Sequence, residues 1–242
     1  MKPFKIFLIA LGVSSFLSCS SGYRNSGDAV YYEYWNEGSG QQKTKLDADP
    51  KTFTIFTFDA YAKDAQSVFY EGRKIAGADA LTFEALGDFY ARDKNYGWYG
   101  NDTIQNSHGP SFRVVNDYYS TDGYDYFYTN LPLHMANPAG FAFISGKGES
   151  ECWVTDGLYY YYKNYKVPSD DYSHVKIYPG SGGLSSDRNW AYFLDHKLNY
   201  DIEGNRVVDT IDMATFTVTG YITCHDKYGC FNVYHGREKC NE

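Results

Sequence analysis

The 242-residue sequence has no long apolar stripe at helical spacing, which argues against a helical core. It also lacks any surplus of positive charge. Its 22 Lys and Arg face 30 Asp and Glu, for a formal net charge of −8. That balance excludes nucleic acid as a favoured partner and argues against adherence to an anionic membrane face. Catalytic signatures are missing as well. There is no nucleophile-elbow motif, and Gly180-Ser181-Gly182-Gly183 lacks the Lys-Ser/Thr of a phosphate loop and reads as a loop before a strand. The six histidines (His108, His134, His174, His196, His225 and His235) fall at no metal-binding spacing. Glu149 with Glu151 and Asp170 with Asp171 read as solvated acids rather than a glycosidase pair. No catalytic residue, metal or cofactor is therefore nominated.

The one continuous apolar run lies at the start. Lys2 and Lys5 precede Ile6 to Leu17, and Ser18-Cys19 ends the run. Twelve residues are too few to span a bilayer, so residues 1–18 read as a signal peptide. A Cys after a small residue at that point resembles a bacterial lipobox, although Phe16 stands where Leu is usual. Cleavage there would make Cys19 the lipidated first residue of an envelope lipoprotein, anchored to a membrane by its acyl chains. Residues 19–28 are expected to be a flexible tether. Residues 29–242 show no break in composition and are expected to form a single domain.

Cysteine is scarce, with five in all. Setting Cys19 aside leaves Cys152, Cys224, Cys230 and Cys240, an even number suited to an oxidising compartment. Three connectivities are open, and Cys224–Cys230 with Cys152–Cys240 is the expected one. The Cys-x5-Cys-x9-Cys spacing fits no standard zinc pattern.

What the sequence has in abundance is aromatic residues, 19% of the chain, and they recur in frame. Take Asp93 of Tyr90-Ala91-Arg92-Asp93-Lys94-Asn95-Tyr96-Gly97-Trp98-Tyr99 as position zero. Equivalent aspartates are Asp64, Asp122, Asp156, Asp187 and Asp226, and five residues after each comes Phe69, Trp98, Phe127, Tyr161, Tyr192 or Phe231. The period is about 29–30 residues over the first three units. Aromatic and β-branched residues flanking a polar Asp turn read as a β-hairpin. A three-residue loop starting at the Asp would set Tyr61 opposite Phe69, Tyr90 opposite Trp98 and Tyr119 opposite Phe127. A slip of one residue would exchange the faces. Each unit is expected to contain three or so short antiparallel strands.

The run Asp93-Lys94-Asn95-Tyr96 with Trp98-Tyr99 resembles the DKNYY repeat family of bacterial proteins. So does Asp49-Pro50-Lys51-Thr52-Phe53, continued by Tyr61-Ala62-Lys63-Asp64, Val68-Phe69-Tyr70 and Gly72-Arg73-Lys74-Ile75. The likeness is close over residues 49–137 and looser from 138 to 242. The resemblance implies a bacterial envelope or cytoplasmic repeat protein of uncharacterised role and brings no catalytic residues with it.

The expected fold is all-β, an N-terminal half-repeat plus six repeats in an open solenoid-like stack, with a β-propeller as the alternative. Four strands per blade are expected to need more chain than about 30 residues, which counts mildly against the propeller. Insertions near 146–150 and 199–209 map to loops. Each repeat Asp is read as capping its own turn, since calcium needs six to eight oxygens and each turn offers one acid. The tyrosine-rich runs nominate Tyr118, Tyr119, Tyr160 and Tyr162 as a binding surface for a glycan or protein ligand. Function is expected to be non-catalytic recognition, with a structural spacer or a hydrolase acting on envelope polymers as the alternatives.

Overall fold

The computed structural model describes residues 21–144, 152–200, 203–206, 208–237 and 239–240. The leader, Cys19, the loop at 146–150 and part of the loop at 199–209 lie outside the described residues. The fold is all-β, as the residue pattern predicts. Among the described residues seven antiparallel sheets follow one another in sequence, and within each the strands pair in sequence order. The first sheet spans 22–45 and the seventh 217–232, with three strands each. The five between them, at 54–74, 84–104, 113–132, 142–166 and 176–197, have four strands rather than three. The additional strands are two or three residues long, such as Arg73–Lys74 and Leu131–Pro132.

Six hydrophobic cores fill the six gaps between consecutive sheets. Tyr61, Val68 and Tyr70 of the second sheet meet Phe83, Ala91 and Trp98 of the third. Tyr90 of the third sheet then meets Phe112 and Phe127 of the fourth, and Tyr119 of the fourth meets Val154 and Tyr161 of the fifth. None of these clusters joins the first sheet to the seventh, which is the pattern of an open stack. The end faces agree. The outer face of the first sheet carries Arg24, Tyr31, Glu33 and Lys43, held by ion pairs of 3.5 Å (Arg24–Glu33) and 3.4 Å (Lys43–Glu33). At the other end Thr223 and Asn232 stand where the second to fifth sheets place paired aromatics. The first sheet begins at Gly22, inside the stretch expected as a tether, and is a complete three-stranded sheet rather than a half-repeat.

The hairpin register differs by one residue from the sequence expectation. The Asp64 N–H donates to the Ser67 carbonyl at 3.0 Å, so these two residues face each other and only two remain in the link. Tyr61 therefore pairs with Tyr70 and Ala62 with Phe69. The same frame pairs Ala91 with Trp98, Ser120 with Phe127 and Val154 with Tyr161. Each large ring thus lies beside a small or β-branched residue on the face turned toward the preceding sheet. Paired tyrosines such as Tyr61/Tyr70 and Tyr119/Tyr128 point toward the following one.

The cysteines pair otherwise than expected. Cys230 is bonded to Cys240, while Cys152 and Cys224 are buried outside any disulfide. Cys224 lies opposite Phe231 and Cys230 opposite His225, so successive pleats send the two sulfurs to opposite faces of the sheet. A 224–230 bridge cannot form across that sheet.

Candidate functional site

The repeat aspartates explain themselves first, because they fix everything around them. Each one is buried yet fully engaged. Asp156 accepts the N–H groups of Leu158 and Tyr159 on Oδ1 at 2.9 and 2.7 Å. Its Oδ2 accepts the N–H groups of Ala136 and Asn137 and the Tyr161 hydroxyl at 3.1, 3.3 and 3.0 Å. Asp64, Asp93 and Asp122 hold their own turns in the same way and reach back to the N–H of Asp49, Asp79 and His108. The aspartate caps its turn, as expected, and also ties the incoming chain of the same unit to it. The aromatic five residues on becomes intelligible too. Trp98, Tyr161 and Tyr192 donate to the carboxylates of Asp93, Asp156 and Asp187.

Burial pulls the carboxyls of Asp64 and Asp156 upward, but the converging backbone N–H groups outweigh it and leave both below the usual carboxylate range. Asp187 and Asp226 are lowered as well, against the same burial, by Ser169 and Tyr192 in one case and by Arg237 in the other. A carboxyl lowered by folding stabilises the fold above its unfolded value near 4 and loses that contribution as pH falls through the folded value. The melting temperature is therefore expected to hold from pH 7 to about 5 and drop steeply below about pH 4. A thermal melt followed by circular dichroism checks this, and a flat profile down to pH 2 would contradict it.

Tyrosines join one unit to the next. The Tyr61 hydroxyl donates to the Phe89 carbonyl at 2.6 Å, and Tyr119 to the Cys152 carbonyl at 3.0 Å. Tyr119, nominated above as a surface residue, is thus fully buried and structural.

The surface that can meet a ligand lies along one edge of the stack, where the first link and the last link of each sheet come together. Phe89 is 47% exposed and Tyr118 43%, each at the position four before its Asp. Each stacks on a half-buried ring of its own sheet. Phe89 and Tyr99 are 5.7 Å apart at 24°, and Tyr118 and Tyr128 are 6.1 Å apart at 12°. Lys163 of the fifth sheet sets its ammonium between Tyr128 and Tyr162, 5.7 and 5.6 Å from their rings. Of the four nominated tyrosines, Tyr118 and Tyr162 therefore flank this ledge. Tyr160, two residues from Tyr162 on the same strand, is half-buried in the core between the fifth and sixth sheets.

Two columns at this edge escaped the sequence reading. Asp59, Asp88 and Asp117, five residues before the repeat Asp, are all exposed and line the ledge with negative charge. Their regular spacing was there to be found. At seven after the Asp, Glu71, Thr129, Lys163 and Leu194 adopt φ of 45°, 54°, 58° and 54°, so non-glycine residues sit in left-handed turns. No residue type marks that column, because the turn is imposed by the N–H of each residue bonding the strand opposite, as Thr129 does to Tyr118 at 2.8 Å. Burial, then the charge of Glu71, pushes the Tyr70 phenol up to about 12, and burial raises Tyr99 too, so these rings stay neutral at physiological pH.

A linear stack of small antiparallel sheets, with buried Asp turns inside and an aromatic ledge along one edge, defines a tandem β-repeat protein. Within it, residues 2–102 match the model of the DKNYY family. That match ends in the third sheet, while the Asp frame continues to Asp226, with the Ser169 hydroxyl in place of a backbone N–H at Asp187. Comparison with curated proteins and with solved structures gives no match.

Proposed function

We propose that this chain is an exported, lipid-anchored envelope protein whose repeat scaffold recognises a glycan without catalysing its turnover. One observation carries the reading. Flat ring pairs, half exposed and held rigid by their neighbours, recur at successive sheets along a single edge. Such rings offer apolar faces to the C–H faces of sugars at little cost in side-chain entropy. Stacked sheets rise about 10 Å per step, which suits an extended polymer better than a compact ligand. The lipoprotein part of the reading rests on Lys2, Lys5, the apolar run and Cys19.

The test is a glycan array probed with the chain beginning at Ser20, alongside its Tyr118→Ala and Tyr118→Ala/Tyr128→Ala variants. Binding by the wild type is expected to weaken about tenfold for each ring lost, since a stacking contact is worth roughly 1.4 kcal/mol. Circular dichroism verifies the fold. A well-folded chain that binds no glycan would overturn the reading, in favour of a protein ligand if envelope pull-down captures one and of a structural spacer if it does not.

A further inference from the structure

The first sheet is built on a longer hairpin than any other. Its strands Val30–Asn36 and Gly40–Lys45 run seven and six residues, against three for the central strands of the second sheet. Tyr32 occupies the place that Tyr70, Tyr99 and Tyr128 take in later sheets, pairing with Tyr23 as Tyr70 pairs with Tyr61. Everything beyond it, from Glu33 onward, overhangs the short sheet below, on the same edge as the aromatic ledge.

Beneath the overhang lies a cleft of about 450 Å³ between Tyr32, Tyr34 and Thr44 on one side and Glu71, Gly72 and Arg73 on the other. That volume falls within the range of small-ligand sites. Tyr32 and Tyr34 form a loosely stacked pair along this wall, with ring centroids 6.2 Å apart and planes at 28°. The opposite wall approaches closely because residue 72 is glycine. Its φ is 76°, and a Cβ there would fall 2.5 Å from Tyr32 Cβ. Around the repeat aspartates polar groups are saturated by protein partners, whereas here Thr44, Glu71 and Arg73 face solvent. Among the described residues the Tyr34 and Thr44 hydroxyls and the Glu71 and Arg73 side chains have no hydrogen-bond or ion-pair partner.

We infer that this cleft binds one residue of a neutral N-acylhexosamine glycan, seated on Tyr32 and Tyr34 between Glu71 and Arg73. The lining holds one acid and one base, Glu71 and Arg73, and Asp59 adds negative charge near Tyr32, so an anionic sugar is disfavoured. An acylamino group brings both an N–H for the Glu71 carboxylate and a carbonyl for the Arg73 guanidinium, forming charge-assisted hydrogen bonds. A plain hydroxyl presents the two less well. The ring's C–H face then covers the tyrosines. This rests on the glycan reading above and gives its polymer a terminal subsite at the first sheet.

The experiment titrates the chain beginning at Ser20 with the N-acetylglucosamine trimer and with the glucose trimer, following amide shifts by NMR and affinity by calorimetry. The N-acetylglucosamine trimer is expected to bind at least tenfold more tightly than the glucose trimer and to shift the Glu71 to Arg73 amides. Tyr34→Ala, which changes only the overhang, is expected to weaken it at least tenfold, and Glu71→Gln to remove most of the preference between the sugars. Equal affinity for both trimers, no binding of either, or binding untouched by Tyr34→Ala would each overturn the inference. Tyr118→Ala separates the two proposals. Loss of polymer binding in that variant with the Glu71 shifts intact leaves the cleft standing, and loss through Tyr118 with no effect of Tyr34 leaves only the ledge.

Discussion

Asp156→Ala is expected to lower the stability of the chain by about 3–5 kcal/mol. The carboxylate is fully buried and its two oxygens accept five donors. Removing it leaves the backbone N–H groups of the turn and the Tyr161 hydroxyl without acceptors in a site that excludes water. Each orphaned buried donor costs about 1–3 kcal/mol, although relaxation of the turn toward solvent recovers part of the sum. Asp156→Asn keeps the shape and one acceptor oxygen but turns an amide N–H₂ toward donors, so an intermediate loss is expected. Urea unfolding followed by circular dichroism measures both. A loss below about 1 kcal/mol for the alanine variant would show that the carboxylate is not what closes the turn.

The second large effect needs only one methyl group. Gly109 begins a short 3₁₀ turn that leads into the fourth sheet and lies against the Asp turn of the third. A Cβ on it would sit 2.1 Å from the Asp93 carbonyl oxygen and 2.7 Å from the Tyr96 nitrogen. Both are backbone atoms fixed by the Asp93 carboxylate, so no rotamer change relieves the overlap. The Gly109 N–H also donates to the Asn95 carbonyl at 3.2 Å, a bond that any outward shift would stretch. Gly109→Ala is expected to destabilise by about 3 kcal/mol or more, against about 1 kcal/mol or less for alanine at the half-buried but unobstructed Gly87. Comparable melting temperatures for the two variants would refute this.

These two residues show where sequence reading succeeds and where it stops. The Asp column is legible because a buried carboxylate bonding its own turn is an irreplaceable arrangement, and chemistry of that kind leaves one residue type at every repeat. The aromatic at plus five is legible for the same reason, since ring volume and, in Trp98, Tyr161 and Tyr192, a donor to the Asp are both required. The register was missed because period-two patterns fit either pairing when both faces of the sheet are buried. Only the bond from the Asp N–H to the residue three on decides between them. Tyr119 was misjudged for a related reason. Tyr118 and Tyr119 are chemically identical neighbours, and the pleat sends one to solvent and the other into the next unit. The cysteine pairing depends on that same pleat. The Cys230–Cys240 bond joins the last strand to the chain that follows it, where no repeat frame guides the eye. The ledge was half legible. The excess of tyrosine pointed to it, but the ring pairs Phe89/Tyr99 and Tyr118/Tyr128 arise from a link and a strand that meet only in three dimensions.

The two end faces bear on how copies of this molecule can meet. A stack of like sheets is open to growth, because the last sheet of one copy resembles the seat that the first sheet of another would take. Head-to-tail addition of that kind never closes and leads to filaments. Here the first sheet turns Arg24, Glu33 and Lys43 outward, and the last has Thr223 and Asn232 in place of an aromatic pair, with the Cys230–Cys240 bond on the same face. Two copies meeting end to end would have to strip water from charges that gain no partner. Contact between these two faces is therefore disfavoured, and the stack has little tendency to lengthen by end-to-end addition.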